Sequence, residues 1–126
     1  MNLVLTEDGV LKLGYYGLTT QAECYSIKKT DCEGIRSFAP EAFEGAYEMA
    51  SDVWSFGIVL IEMMGITPFS GCATYELSEG MENGYLPFDQ YDVKSYVLVD
   101  FLKKCFESEL KERWNVNELM NVSVMG

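Results

Sequence analysis

The chain has 126 residues, 48% of them apolar and 23% charged, the balance of an ordinary globular protein with material for one core of domain size. Its net charge of −11 works against nucleic acid and anionic lipid and favours solubility and basic protein partners. Cys24, Cys32, Cys72 and Cys105 form no CxxC pair and no histidine accompanies them, so a zinc centre is not expected. With no secretory leader at the start, reduced thiols in the cytoplasm or nucleus are the expectation.

In chain order, Asn2 to Leu5 and Val10 to Leu13 are two short aliphatic runs around Thr6-Glu7-Asp8-Gly9, where Asp-Gly supplies a tight reversal; this predicts a β-hairpin over 1–13. Residues 14–41 show neither helical nor strand period and read as a long loop. The remainder, 42–126, reads as a helical subdomain. Glu41 to Tyr47 offers a helical turn or two after Pro40, then Ser51 caps a stronger helix with Asp52 in its first turn and Gly65 at its end. That helix, from Val53 to Met64, is apolar nearly all round and belongs in the middle of a domain. Its least charged stretch, Val53–Ile61, is far below membrane-spanning length. A weaker acidic helix over 73–83 follows, then a loop around Pro87. Ser95 to Phe106 places Val97, Leu98, Phe101, Leu102 and Cys105 on one helical face. Asn115 to Val122 is a last short helix, Asn115 its cap and Glu118 the return partner of a capping box. The fold class is therefore mainly α with a small β-hairpin.

Four segments now carry a resemblance. Ala39-Pro40-Glu41 looks like the APE motif that ends a protein-kinase activation segment. Ser51-Asp52-Val53-Trp54-Ser55-Phe56-Gly57-Ile58, through Glu62 and Gly65 to Pro68-Phe69, resembles the family's central helix and following turn. Phe101 to Phe106, then Lys111-Glu112-Arg113 and Glu118-Leu119-Met120, is similar to the last helices with the family's arginine between them. Asn2 to Leu13 looks like the hairpin joining the catalytic loop to the metal-binding motif. In order and spacing these resemble the large, carboxy-terminal lobe of the eukaryotic protein kinases, with the small lobe absent. The tail from Phe101 to Met120 leans toward the serine/threonine branch, particularly kinases acting on other kinases.

The resemblance implies ATP and magnesium as the family's cofactors, yet no cofactor is expected for this chain. Phosphoryl transfer needs a glycine-rich loop, a lysine–glutamate pair, the aspartate and asparagine of HRDxxxxN, and the aspartate of DFG. No GxGxxG string is present, and the catalytic aspartate would precede Met1, so no catalytic residue is assigned. Asn2 stands at the closing asparagine and is a metal ligand by family position only. Thirteen residues on, Tyr15 occupies the place of the DFG aspartate, and a neutral phenol with a pKa of about 10 is a poor magnesium ligand.

Glu41 and Arg113 resemble the family's ion pair between activation segment and helical floor, and Asp52 resembles the aspartate that accepts bonds from the catalytic loop; all three roles are structural. Thr19, Thr20, Tyr25, Ser26, Thr30 and Ser37 are possible phosphorylation positions, with Lys28, Lys29 and Arg36 the nearby cations. Three readings compete: an inactive, pseudokinase-like interaction module, a piece of a serine/threonine kinase whose catalytic parts lie upstream, and a non-functional gene remnant. Protein partners are expected, nucleic acid and membrane are not.

Overall fold

A computed structural model describes residues 2–14, 36–72 and 76–122. The chain divides into two compact units, Met1–Asp31 and Cys32–Gly126, and each is taken by itself.

The first unit contains an antiparallel pair, β1 (Asn2–Leu5) and β2 (Leu11–Gly14), in the register Leu5 opposite Leu11 and Leu3 opposite Leu13. Gly9, at φ 79°, takes the left-handed conformation that the reversal requires. Val10 belongs to the connection and not to the second strand. The Thr6 N–H donates to the Val10 carbonyl at 2.9 Å, while the Thr6 hydroxyl accepts from the Val10 N–H at 3.0 Å. Both backbone groups of Val10 are thereby spent on closing the loop.

In the second unit the first element among the described residues is a 3-10 segment, Pro40–Glu44, which has proline in its first turn and ends at Gly45, φ 81°. Helix α1 (Met49–Met63) follows. It starts two residues before Ser51, which is not its cap. Ser51 lies in the first turn, and its hydroxyl accepts from the Glu48 N–H at 3.1 Å while donating to a carboxylate oxygen of Glu41 at 2.6 Å. Gly65, at φ 79°, closes the helix end, its N–H on the Glu62 carbonyl.

Although α1 is apolar on most sides, the unit buries only part of it: Val53, Trp54, Ile58 and Ile61 are inside, whereas Phe56 and Met63 are exposed. Helix α2 (Leu77–Glu82) is shorter than the predicted 73–83, residues 73–75 lying outside the described segments, and it packs on the 3-10 segment. A second 3-10 turn, Gln90–Asp92, is capped by Asp89, whose side chain accepts from the Tyr91 N–H. Helix α3 (Tyr96–Cys105) is capped by the Ser95 hydroxyl and has Lys103 and Lys104 in its last turn, favourable against the helix dipole. Helix α4 (Val116–Met120) carries the Asn115–Glu118 capping box and ends before Val122.

The core sits where α1 meets α3. Val53, Phe101 and Cys105 are buried together, with Leu60, Leu98, Leu119 and Val122 packed against them. Gly57 makes the close approach possible, since a Cβ there would lie 2.7 Å from the Phe106 ring and 3.0 Å from Cys105 Cβ. Among the described residues no helix is long and apolar enough to cross a membrane.

Candidate functional site

Arg113 makes four side-chain hydrogen bonds among the described residues of the second unit. It follows the turn after α3, where the N–H groups of Glu112 and Arg113 both bond to the Glu109 carbonyl. From that turn its guanidinium reaches back to the 3-10 segment, donating to both Glu41 carboxylate oxygens, Nη1 to Oε1 at 2.7 Å and Nη2 to Oε2 at 2.9 Å. Nη1 also donates to the Ala50 carbonyl at 3.1 Å, and Nε to the Glu107 carbonyl at 2.8 Å. The guanidinium carbon lies over the Trp54 ring, 5.1 Å from its centroid, a cation–π arrangement.

Arg113's side chain is fully shielded and Glu41's is 11% exposed, so this is a buried pair. Burial pushes the Glu41 carboxyl upward, but the hydrogen bonds from Arg113 and Ser51 outweigh it and hold the group below its usual 4.5. The same burial raises the Cys105 thiol to about 12, the Arg113 charge drawing it only partly back. Trp54 meets Phe106 edge-on at 5.1 Å, and its indole Nε1–H, fully buried, finds no acceptor among the described residues.

Of the residues singled out from the sequence, the structure brings Glu41 and Arg113 together. Asp52 is exposed in the first turn of α1. Asn2 opens β1 opposite Gly14. Tyr15, Thr19, Thr20, Tyr25, Ser26 and Thr30 lie outside the described residues. The Ser37 carbonyl accepts from the Ser55 hydroxyl at 3.0 Å, fastening the approach to Ala39 onto α1. Arg36, one of the cations near the loop's hydroxyl groups, has its guanidinium committed to the backbone. It donates to the carbonyls of Pro68 and Phe69 at 3.0 Å each and of Cys72 at 3.4 Å.

Three hydrogen-bonding partners in this node are invisible to sequence reasoning. Ser51, which reads as a cap, donates to Glu41, and the Ala50 and Glu107 carbonyls are further acceptors for Arg113. Backbone acceptors leave no trace in residue type, and a serine beside a helix start signals a cap whether or not it becomes one. Among the described residues no cluster of acidic or cysteine side chains is arranged to hold a metal ion.

The node joins the 3-10 segment, the first turn of α1 and the turn after α3. A family profile described as protein tyrosine and serine/threonine kinase matches residues 1–122, and the chain belongs to that family. It is 35% identical over 102 residues, 78% of the chain, to calcium-dependent protein kinase 4 of Plasmodium berghei, of which it covers 19%. It is 31% identical over 123 residues to mouse tyrosine-protein kinase Fer, covering 94% of the chain and 15% of that protein. It is 30% identical over 125 residues to fibroblast growth factor receptor 1 of Xenopus laevis, again 94% of the chain and 15% of the relative. The chain thus spans a fifth or less of the length of these relatives.

Proposed function

We infer that these residues are the large-lobe part of a protein-kinase domain, incompetent by themselves to transfer phosphate, and that they serve as a protein-interaction scaffold. The observation that supports this reading is the Glu41–Arg113 node, which is buried and two-pronged and ties the 3-10 segment to the turn after α3. The parts that organise nucleotide are missing from the same residues. There is no GxGxxG string and no histidine to form HRD, and Tyr15 stands where the family's magnesium-binding aspartate is expected. A carboxylate offers magnesium a hard anionic oxygen and a neutral phenol does not.

Thermal unfolding with and without ATP and magnesium tests this. No magnesium-dependent rise in midpoint is expected, and a reproducible rise would overturn the reading.

The length of the relatives favours a second reading, in which these residues belong to a longer serine/threonine kinase with its catalytic aspartate upstream. The resemblance of Phe101–Met120 to that branch supports the acceptor class, against which stands the likeness to tyrosine-protein kinase Fer. An in-frame HRD in the nucleotide sequence before Met1 would favour this second reading. Tyr15 weakens magnesium binding under either one. Both readings place the chain in the cytoplasm or nucleus.

A further inference from the structure

Helix α2 ends on a dipeptide with covalent chemistry of its own, Asn83-Gly84. The chain has five asparagines, and the other four are followed by Leu3, Val116, Glu118 and Val122. A side-chain amide is open to attack by the backbone nitrogen of the next residue, and the attack is easiest where that residue has no Cβ to crowd the approach. Asn83 alone meets that condition. It is exposed, and a Cβ built on Gly84 would find nothing within 4 Å, so the surroundings leave room for the ring that the attack forms.

The same residues close the helix. Asn83 is the C-cap, at φ −79° and ψ 5°, and Gly84 follows at φ 78°. The Gly84 N–H donates to the Met81 carbonyl at 3.0 Å and the Tyr85 N–H to the Gly80 carbonyl at 2.8 Å, the paired bonds of a Schellman end, which a left-handed glycine permits. The Asn83 side chain adds a third bond, its Nδ2 donating to the Glu79 carbonyl at 2.8 Å. The nitrogen that attacks and the nitrogen that leaves are therefore both held while the turn is closed. Fraying of this last turn frees them together, and helix ends open at little cost.

We propose that Asn83-Gly84 is a site of spontaneous covalent modification, which releases the end of α2 as the protein ages. The Gly84 nitrogen gives its proton to solvent and bonds to Asn83 Cγ. The bond from Cγ to Nδ2 breaks, ammonia departs and a five-membered succinimide closes. Water then opens the ring. Entry at Cγ leaves aspartate, whereas entry at the Asn83 backbone carbonyl carbon leaves isoaspartate, with the chain running through the former side chain. In sum, an amide and a water become a carboxylate and an ammonium ion. Either product loses the donor to the Glu79 carbonyl and sets a negative charge at the helix end where the dipole is already negative. Isoaspartate also lengthens the backbone by one carbon, so the Gly84 and Tyr85 N–H groups fall out of register with Met81 and Gly80. The effect reaches inward, because α2 buries Leu77 and Met81 and packs on the 3-10 segment that contains Glu41. It also reaches a groove of about 610 Å³ between residues 66–72 and 84–92, where Tyr85 forms part of one wall.

The test is incubation of the purified chain in mildly alkaline buffer at body temperature, followed over time by mass-spectrometric peptide mapping, with acetyl-Glu-Asn-Gly-Tyr-amide alongside. The mass gain of amide-to-acid conversion is expected at Asn83 well ahead of the other four asparagines, and more slowly than in the peptide, because the turn must first open. Asn83→Gln should abolish it. The aged chain should lose about 3–6 °C of unfolding midpoint, a loss that the aged Asn83→Gln variant does not show. Asn83→Asp supplies one product directly and should speed amide exchange at Gly84 and Tyr85. Conversion elsewhere as fast as at Asn83, or none at Asn83 long after the peptide has converted fully, would overturn the site. Conversion with an unchanged midpoint would overturn the release. Mass and midpoint on the unaltered chain decide both points even if Asn83→Asp does not fold.

Discussion

At the scale of single residues the Glu41–Arg113 pair dominates. Removing one member of a buried pair strands the other charge, so Arg113→Ala is expected to cost about 3–5 kcal/mol, a large share of the roughly 5–15 kcal/mol typical of a domain. Urea unfolding measures it. Arg113→Lys keeps the charge but not the two-pronged contact and should recover only part of the loss. The pair also sets a direction with pH. Because Glu41's carboxyl is held below 4.5 in the folded state, its contribution is complete above that value and disappears as pH falls through the lower folded value. Glu41→Gln should flatten this acid limb. Cys105 acts at the other end: its thiol rises to about 12 from 9.0, so the stability it confers is complete below 9.0 and is lost as pH climbs toward the folded value. Cys105→Ala should remove that alkaline slope, read from unfolding midpoints across the range.

At the scale of elements, the contact of α1 with the end of α3 depends on a missing side chain. A methyl group at Gly57 would sit 2.7 Å from Phe106 Cζ, and the ring is already fixed by Trp54 at 5.1 Å and Phe88 at 6.0 Å. Gly57→Ala is therefore expected to destabilise by about 1–3 kcal/mol through overpacking, despite alanine's better helix propensity. The capping box of α4 is a local feature, and Asn115→Ala should cost about 1 kcal/mol. These two elements differ in legibility for a physical reason. The box is written within four residues, Asn115 to Glu118, and was read directly. The start of α1 lies three residues before the one predicted from its sequence, because Ser51-Asp52 carries the chemistry of a cap while the Ser51 hydroxyl is drawn to Glu41, ten positions away. The reversal of the hairpin was legible in Asp8-Gly9; that Thr6 would capture Val10 was not.

At the scale of the whole molecule, charge and exposed apolar surface oppose each other. Val4, Leu5, Leu11 and Leu13 of the hairpin and Met49 and Met63 of α1 are all more than half exposed, apolar area of the sort that draws molecules together. The net charge of −11 keeps copies apart. Self-association is expected to grow as salt screens that repulsion, and sedimentation velocity at rising ionic strength checks it; no change in sedimentation would show that the exposed side chains do not associate.

The family, the hairpin and the order of the helices were readable from sequence alone, because they rest on local chemistry and on strings such as Ser51–Ile58 that keep their spacing. The tyrosine at position 15, thirteen residues after Asn2, is likewise a sequence fact, and the proposal that it weakens magnesium binding rests on the phenol's lack of charge. What holds Arg113 was only half readable: the resemblance pointed to Glu41, while Ser51, the Ala50 carbonyl and the face of Trp54 are brought there by folding. The groove around Tyr85 belongs wholly to the tertiary structure. Its walls come from separate turns, residues 66–72 and 84–92, which no local pattern in the sequence brings together.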